Sequence, residues 1–147
     1  MPIIKNFTLP ASAKLLEVAE APNEKIFLAF ISGDDAVTKQ PWCPDVRAAL
    51  PHIDAVFSAP DAPTVAFVSV GEKVVYVSEN FTQPYSSTLA NLLYRWKDPK
   101  NIYRTQWNIN NVPALVRYQR VNGEISETAR LLEGEILDKT KLEAFLS

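Results

Sequence analysis

The chain has 147 residues, 47% hydrophobic and 22% charged, with 15 Lys and Arg against 17 Asp and Glu for a formal net charge of -2. That size and balance predict one globular domain over residues 1–147, and without a dense Lys/Arg cluster neither nucleic acid nor an anionic membrane surface is an expected partner. The apolar run in "MPIIKNFTLP" is too short for a signal-peptide core, and no stretch approaches the ~18 apolar residues of a membrane span, so a cytoplasmic location is expected.

In chain order, "PASAKLLEVAEAP" spaces Leu15, Leu16, Val18 and Ala19 for a helix between Pro10 and Pro22. "KIFLAFIS", residues 25 to 32, is an unbroken apolar run ending at the Gly33-Asp34-Asp35 turn signal, and it predicts a strand buried on both faces. From Asp45 to Phe57 the apolar residues Val46, Ala49, Leu50, Ile53, Val56 and Phe57 make one helix face, with Pro51 expected to kink it. "PTVAFVSV", residues 63 to 70, repeats the buried-strand pattern. Helices alternating with such strands indicate parallel pairing with helices on the sheet faces.

Residues 72 to 94 mix β-like and turn residues and are taken as an insertion, with Leu89, Leu92, Leu93 and Trp96 returning to helical spacing at its end. Pro99 then opens a helix carrying Ile102, Tyr103 and Trp107. Strands near 113–120 and 124–130 flank Asn122-Gly123, the pair that best suits a type I′ hairpin turn. A last amphipathic helix starts near Asp138, with Leu142, Phe145 and Leu146 facing inward.

Chemistry concentrates in "QPWCPDVRAAL", residues 40 to 50, which holds the single cysteine of the chain, Cys43, so no internal disulfide can form. A cysteine heading a helix faces unpaired backbone N–H groups and the positive end of the helix dipole, which favour thiolate over thiol. Asp45 opposes this by like-charge repulsion; it has two readings, a general base or a carboxylate that merely suits the first turn of the helix. His52 lies more than two helical turns beyond Cys43 and reads as a surface residue, Asp34 and Asp35 have no companions at metal-ligand spacing, and with four glycines there is no phosphate loop; no metal or cofactor is expected.

Trp42-Cys43-Pro44-Asp45 resembles the Trp-Cys-Pro-Asp-Cys motif of the thioredoxin domain-containing protein 17 family, with Val46 in place of the second cysteine. "YRWKDPKNIYR" resembles that family's Tyr-Trp-Lys-Asp-Pro-Asn segment, "VPALVRY" resembles its cis-proline strand, and Pro51 stands where thioredoxins kink the active-site helix. The resemblance implies an α/β thioredoxin-like fold, a central mixed β-sheet flanked by helices, and covers nearly all of the chain outside the insertion. It departs from thioredoxin in lacking both the resolving cysteine and a buried carboxylate in the strand "IFLAFIS".

By the same resemblance Cys43 and Asp45 are the candidate catalytic residues, and Trp42, Pro44, Val112 and Pro113 the candidate substrate-binding residues, expected as one exposed apolar groove around the sulfur. Val112 would pair its backbone with an extended peptide. Without a second thiol at Val46, a mixed disulfide on Cys43 needs an outside thiol to release it. Two functions follow as expectations. One is a monothiol protein-disulfide oxidoreductase acting on protein disulfides or glutathione, with a thioredoxin reductase system as a further candidate partner; the other is a non-catalytic peptide-binding module.

Overall fold

The computed structural model describes residues 3–5, 7, 9, 10, 12, 16, 25–35, 37–71 and 102–146. The insertion expected at 72–94 and nearly all of the helix expected at 10–22 lie outside the described residues.

The described elements are β1 (Ile3–Ile4), β2 (Lys25–Ile31), α1 (Pro44–Phe57), β3 (Val65–Ser69), α2 (Ile102–Thr105), β4 (Ala114–Val121), β5 (Glu124–Leu132), α3 (Glu133–Ile136) and α4 (Lys139–Leu146). The strands form a mixed five-stranded sheet in the order β1-β3-β2-β4-β5. β3 lies parallel to both β1 and β2, whereas β4 runs antiparallel to β2 and β5 antiparallel to β4. The sheet is α/β and mixed, as expected.

Because side chains alternate across a strand, β2 serves two cores at once. Phe27 and Ala29 face Ile53 and Phe57 of α1 and Leu142 and Phe145 of α4, while Leu28 and Phe30 join Val68, Tyr103, Trp107 and Val116 on the opposite face. All four β2 residues are buried, which is why the run carries no polar alternation. On the α1 side Phe27 meets Phe57 and Phe145 edge-on, at ring separations of 5.5 and 5.3 Å.

α1 opens with Pro44 at its first turn and buries Val46, Ala49, Ile53 and Phe57 at spacings of three and four. Pro51 stands inside this helix on its exposed side, so the bond its missing N–H would have given is lost where water is available to the carbonyl. Between β4 and β5, Val121 pairs with Glu124 across Asn122 and Gly123, whose φ angles of 52° and 85° are those of a type I′ turn. At the other end of β5 the chain enters α3; the Glu135 carboxylate accepts the Leu132 N–H there, and Asp138 accepts the N–H groups of Thr140 and Lys141 at the start of α4. β1 and α3 were not anticipated from the sequence.

Candidate functional site

Cys43 is the residue immediately before α1, with extended backbone angles (φ -87°, ψ 121°) and a half-buried side chain. Its sulfur caps no helix N–H. It lies 3.7 Å from the Val112 carbonyl oxygen, to which the thiol donates. The Val112–Pro113 peptide is cis. Thus the head of α1 and the entry to β4, 69 residues apart in sequence, meet at the sulfur.

The loop between β2 and α1 is tied down group by group. The Trp42 N–H donates to the Gly33 carbonyl at 3.1 Å, and the Gly71 carbonyl receives both the Gly33 N–H at 3.0 Å and the Trp42 indole N–H at 2.9 Å. The Trp42 ring is thereby fastened to the end of β3 beside the thiol. Gly33 can make this approach because it has no side chain: a Cβ there would stand 2.8 Å from the Gly71 oxygen. Farther out, the Asp35 carboxylate accepts the N–H groups of Val37 and Thr38, and those bonds, that of Thr38 foremost, hold it below the usual carboxylate range.

The Cys43 N–H donates to the hydroxyl of Ser32 at 3.2 Å. Ser32 is 1% exposed, and no expectation from the sequence singled it out; a lone serine at the end of an apolar strand carries no periodic signal. Arg47, one turn into α1, donates its guanidinium to the Pro41 carbonyl.

Trp42 and Cys43 are half-buried, Pro44 and Asp45 are exposed, and Val46 is completely buried in the core cluster that includes Val70, Ile109 and Val112. The Asp45 carboxylate makes no hydrogen bond or ion pair among the described residues. Val112 and Pro113 differ from expectation. Both side chains are buried, so they do not line an exposed apolar groove. Val112 packs in the core cluster with Val46, Trp107 and Ile109, and the part of it turned to the site is its backbone: the carbonyl meets the thiol, and the N–H has no partner among the described residues. His52 is exposed along α1. Among the described residues no group of three His, Cys, Asp or Glu side chains stands close enough to hold a metal ion, and no helix is long and apolar enough to cross a membrane.

A mixed sheet with a cysteine at the head of its first described helix, set against the carbonyl that precedes a cis-proline, defines a protein of the thioredoxin fold. The solved structure of Trichomonas vaginalis thioredoxin is similar across 99% of this chain and 95% of its own, with a TM-score of 0.57 at 16% identity. No family model matches the chain. A thioredoxin domain-containing protein of Schizosaccharomyces pombe is 32% identical over 126 residues, 86% of each chain, and thioredoxin domain-containing protein 17 of Homo sapiens is 27% identical over 135 residues, 87% of this chain and 83% of the human one. The chain belongs to the thioredoxin domain-containing protein 17 family.

Proposed function

We propose that this chain is a cytoplasmic monothiol thiol-disulfide oxidoreductase working through Cys43 on protein disulfides or on glutathione mixed disulfides. The observation that carries the reading is the half-buried sulfur at the head of α1, 3.7 Å from the Val112 carbonyl. In the forward step the Cys43 thiolate attacks one sulfur of a substrate disulfide: the S–S bond breaks, a Cys43–substrate disulfide forms, and the departing thiolate takes a proton from water. An outside thiolate, such as that of glutathione, then attacks the mixed disulfide and releases Cys43, since Val46 offers no sulfur to do so.

The residues around Cys43 divide the work. Trp42, held to Gly71 through its indole N–H, precedes Cys43, and Pro44, which follows it, is exposed to a partner chain. The Val112 N–H, without a partner among the described residues, is the group that would pair with an extended peptide, as in strand addition. Asp45, exposed in the first turn of α1, is the nearest carboxylate in sequence and would relay that proton from water to the departing thiolate. Electrons reach the protein from glutathione or from a thioredoxin reductase system.

The test is turnover of a glutathionylated peptide with reduced glutathione as the only reductant. Wild type is expected to accelerate release and Cys43→Ser to do nothing; equal rates with either protein would leave a non-catalytic peptide-binding module as the better account.

A further inference from the structure

The Cys43 backbone is held more firmly than its side chain. Its neighbour's N–H goes to Gly33, its own N–H goes to the Ser32 hydroxyl, and its carbonyl receives the Arg47 N–H at 3.2 Å as the first turn of α1. Three successive main-chain groups are therefore fixed, and the sulfur is left to meet the Val112 carbonyl. Of these anchors only the one on Cys43's own N–H comes from a side chain. Ser32 is also the one buried polar side chain, aromatic residues aside, among the described residues. Burying a hydroxyl at the end of an apolar strand is unfavourable unless it satisfies a group that water cannot reach. Its bond to Cys43 does this, and it joins the end of β2 to the thiol-bearing residue.

The geometry points to Ser32 as the positioning residue of the reaction: its hydroxyl oxygen fixes the Cys43 main chain so that the sulfur faces a disulfide held beside the Val112 backbone. This rests on the monothiol reading above. Disulfide exchange needs the attacking sulfur in line with the bond it breaks, and loss of about an ångström in placement is costly in such a step. Alkylation by a small, freely tumbling reagent has no such docked partner. Losing the Ser32 bond is thus predicted to slow disulfide exchange selectively, whereas a residue that only supports the fold would slow both reactions together or neither.

The experiment compares wild type, Ser32→Ala and Ser32→Thr in two rates on the whole chain: mixed-disulfide formation with oxidised glutathione and alkylation by iodoacetamide. Amide exchange at Cys43 is followed alongside. For Ser32→Ala the ratio of the glutathione rate to the alkylation rate should fall about fivefold, the effect of one ordinary hydrogen bond, with faster exchange of the Cys43 amide. Ser32→Thr, which keeps the hydroxyl, should stay within about twofold of wild type in both. An unchanged ratio in Ser32→Ala overturns the role of Ser32 and leaves the monothiol reading standing. Wild type that is alkylated yet takes no glutathione overturns the monothiol reading, and the role of Ser32 with it. If Ser32→Ala does not fold, exchange in wild type decides: a Cys43 amide as protected as those inside α1 supports the anchor, and one exchanging at the solvent rate overturns it.

Discussion

Position 46 separates a two-thiol site from a one-thiol site by a single side chain. Val46 is fully buried under the first turn of α1, so a cysteine there would sit on the inner side of Cys43 without altering the outline a partner meets. Val46→Cys is expected to form an intramolecular disulfide under mild oxidation, because Cys-Pro-Asp-Cys at a helix start brings two Cα atoms to about 5.5 Å, the ordinary disulfide span. Thiol counting before and after oxidation checks this. The reduced variant should lose about 1 kcal/mol from the smaller side chain, read as a shift in denaturant midpoint. Retention of two free thiols after oxidation would mean that Cys43 and residue 46 do not share the geometry described.

At the scale of elements, two glycines hold turns for different reasons. Gly123 has φ of +85° and nothing within 4 Å of a Cβ placed on it, so Gly123→Ala should cost only conformational strain, about 1 kcal/mol. Gly33 has no unusual φ, but an added Cβ would press on the Gly71 carbonyl, the same oxygen that holds Trp42. Gly33→Ala is predicted to disturb the site and Gly123→Ala to leave it untouched: tryptophan fluorescence and Cys43 alkylation rate should change in the first variant alone, at comparable loss of thermal stability.

The same scale shows what could be read from the chain. β2, β3 and the β4–β5 hairpin were legible because burial on both faces demands unbroken β-branched and aromatic runs, and because Asn122-Gly123 suits one turn type. α1 was legible from its stripe of apolar residues. β1 was not: Ile3 and Ile4 are a strand only through pairing with Val65 and Ala66 of β3, a contact more than 60 positions away. Nor was the burial of Val112 and Pro113, which depends on how β4 enters the sheet beside α1. The lone hydroxyl of Ser32 was silent for a similar reason, its partner being a backbone group eleven positions on.

Across the whole molecule, the face of the sheet that carries Tyr103 and Trp107 also carries a buried phenol. Tyr118 is 2% exposed, with Trp107 edge-on at 5.8 Å. Burial, reinforced by the nearby Glu127 carboxylate and offset in part by Arg130, pushes its ionisation far above the ordinary tyrosine value. A group whose value is raised on folding contributes stability that is complete below its unfolded value and is lost as pH rises through the folded one. The fold should therefore weaken above about pH 10 as unfolded chains ionise. Tyr118→Phe should flatten that alkaline limb in denaturant midpoints measured from pH 8 to 11, and an equally steep limb in the variant would assign it to other residues.

The two halves of the site come from the end of β2 and the start of β4, neighbouring strands at the centre of the sheet, and together they make one thiol that needs an outside partner for release. Intact mass of the wild-type chain after incubation with oxidised glutathione, and again after excess reduced glutathione, tests this most directly. One glutathione per chain, on Cys43, fully removed in the second step, is the expected result. A chain that stays unmodified while iodoacetamide labels Cys43, or an adduct that reduced glutathione does not release, would contradict it.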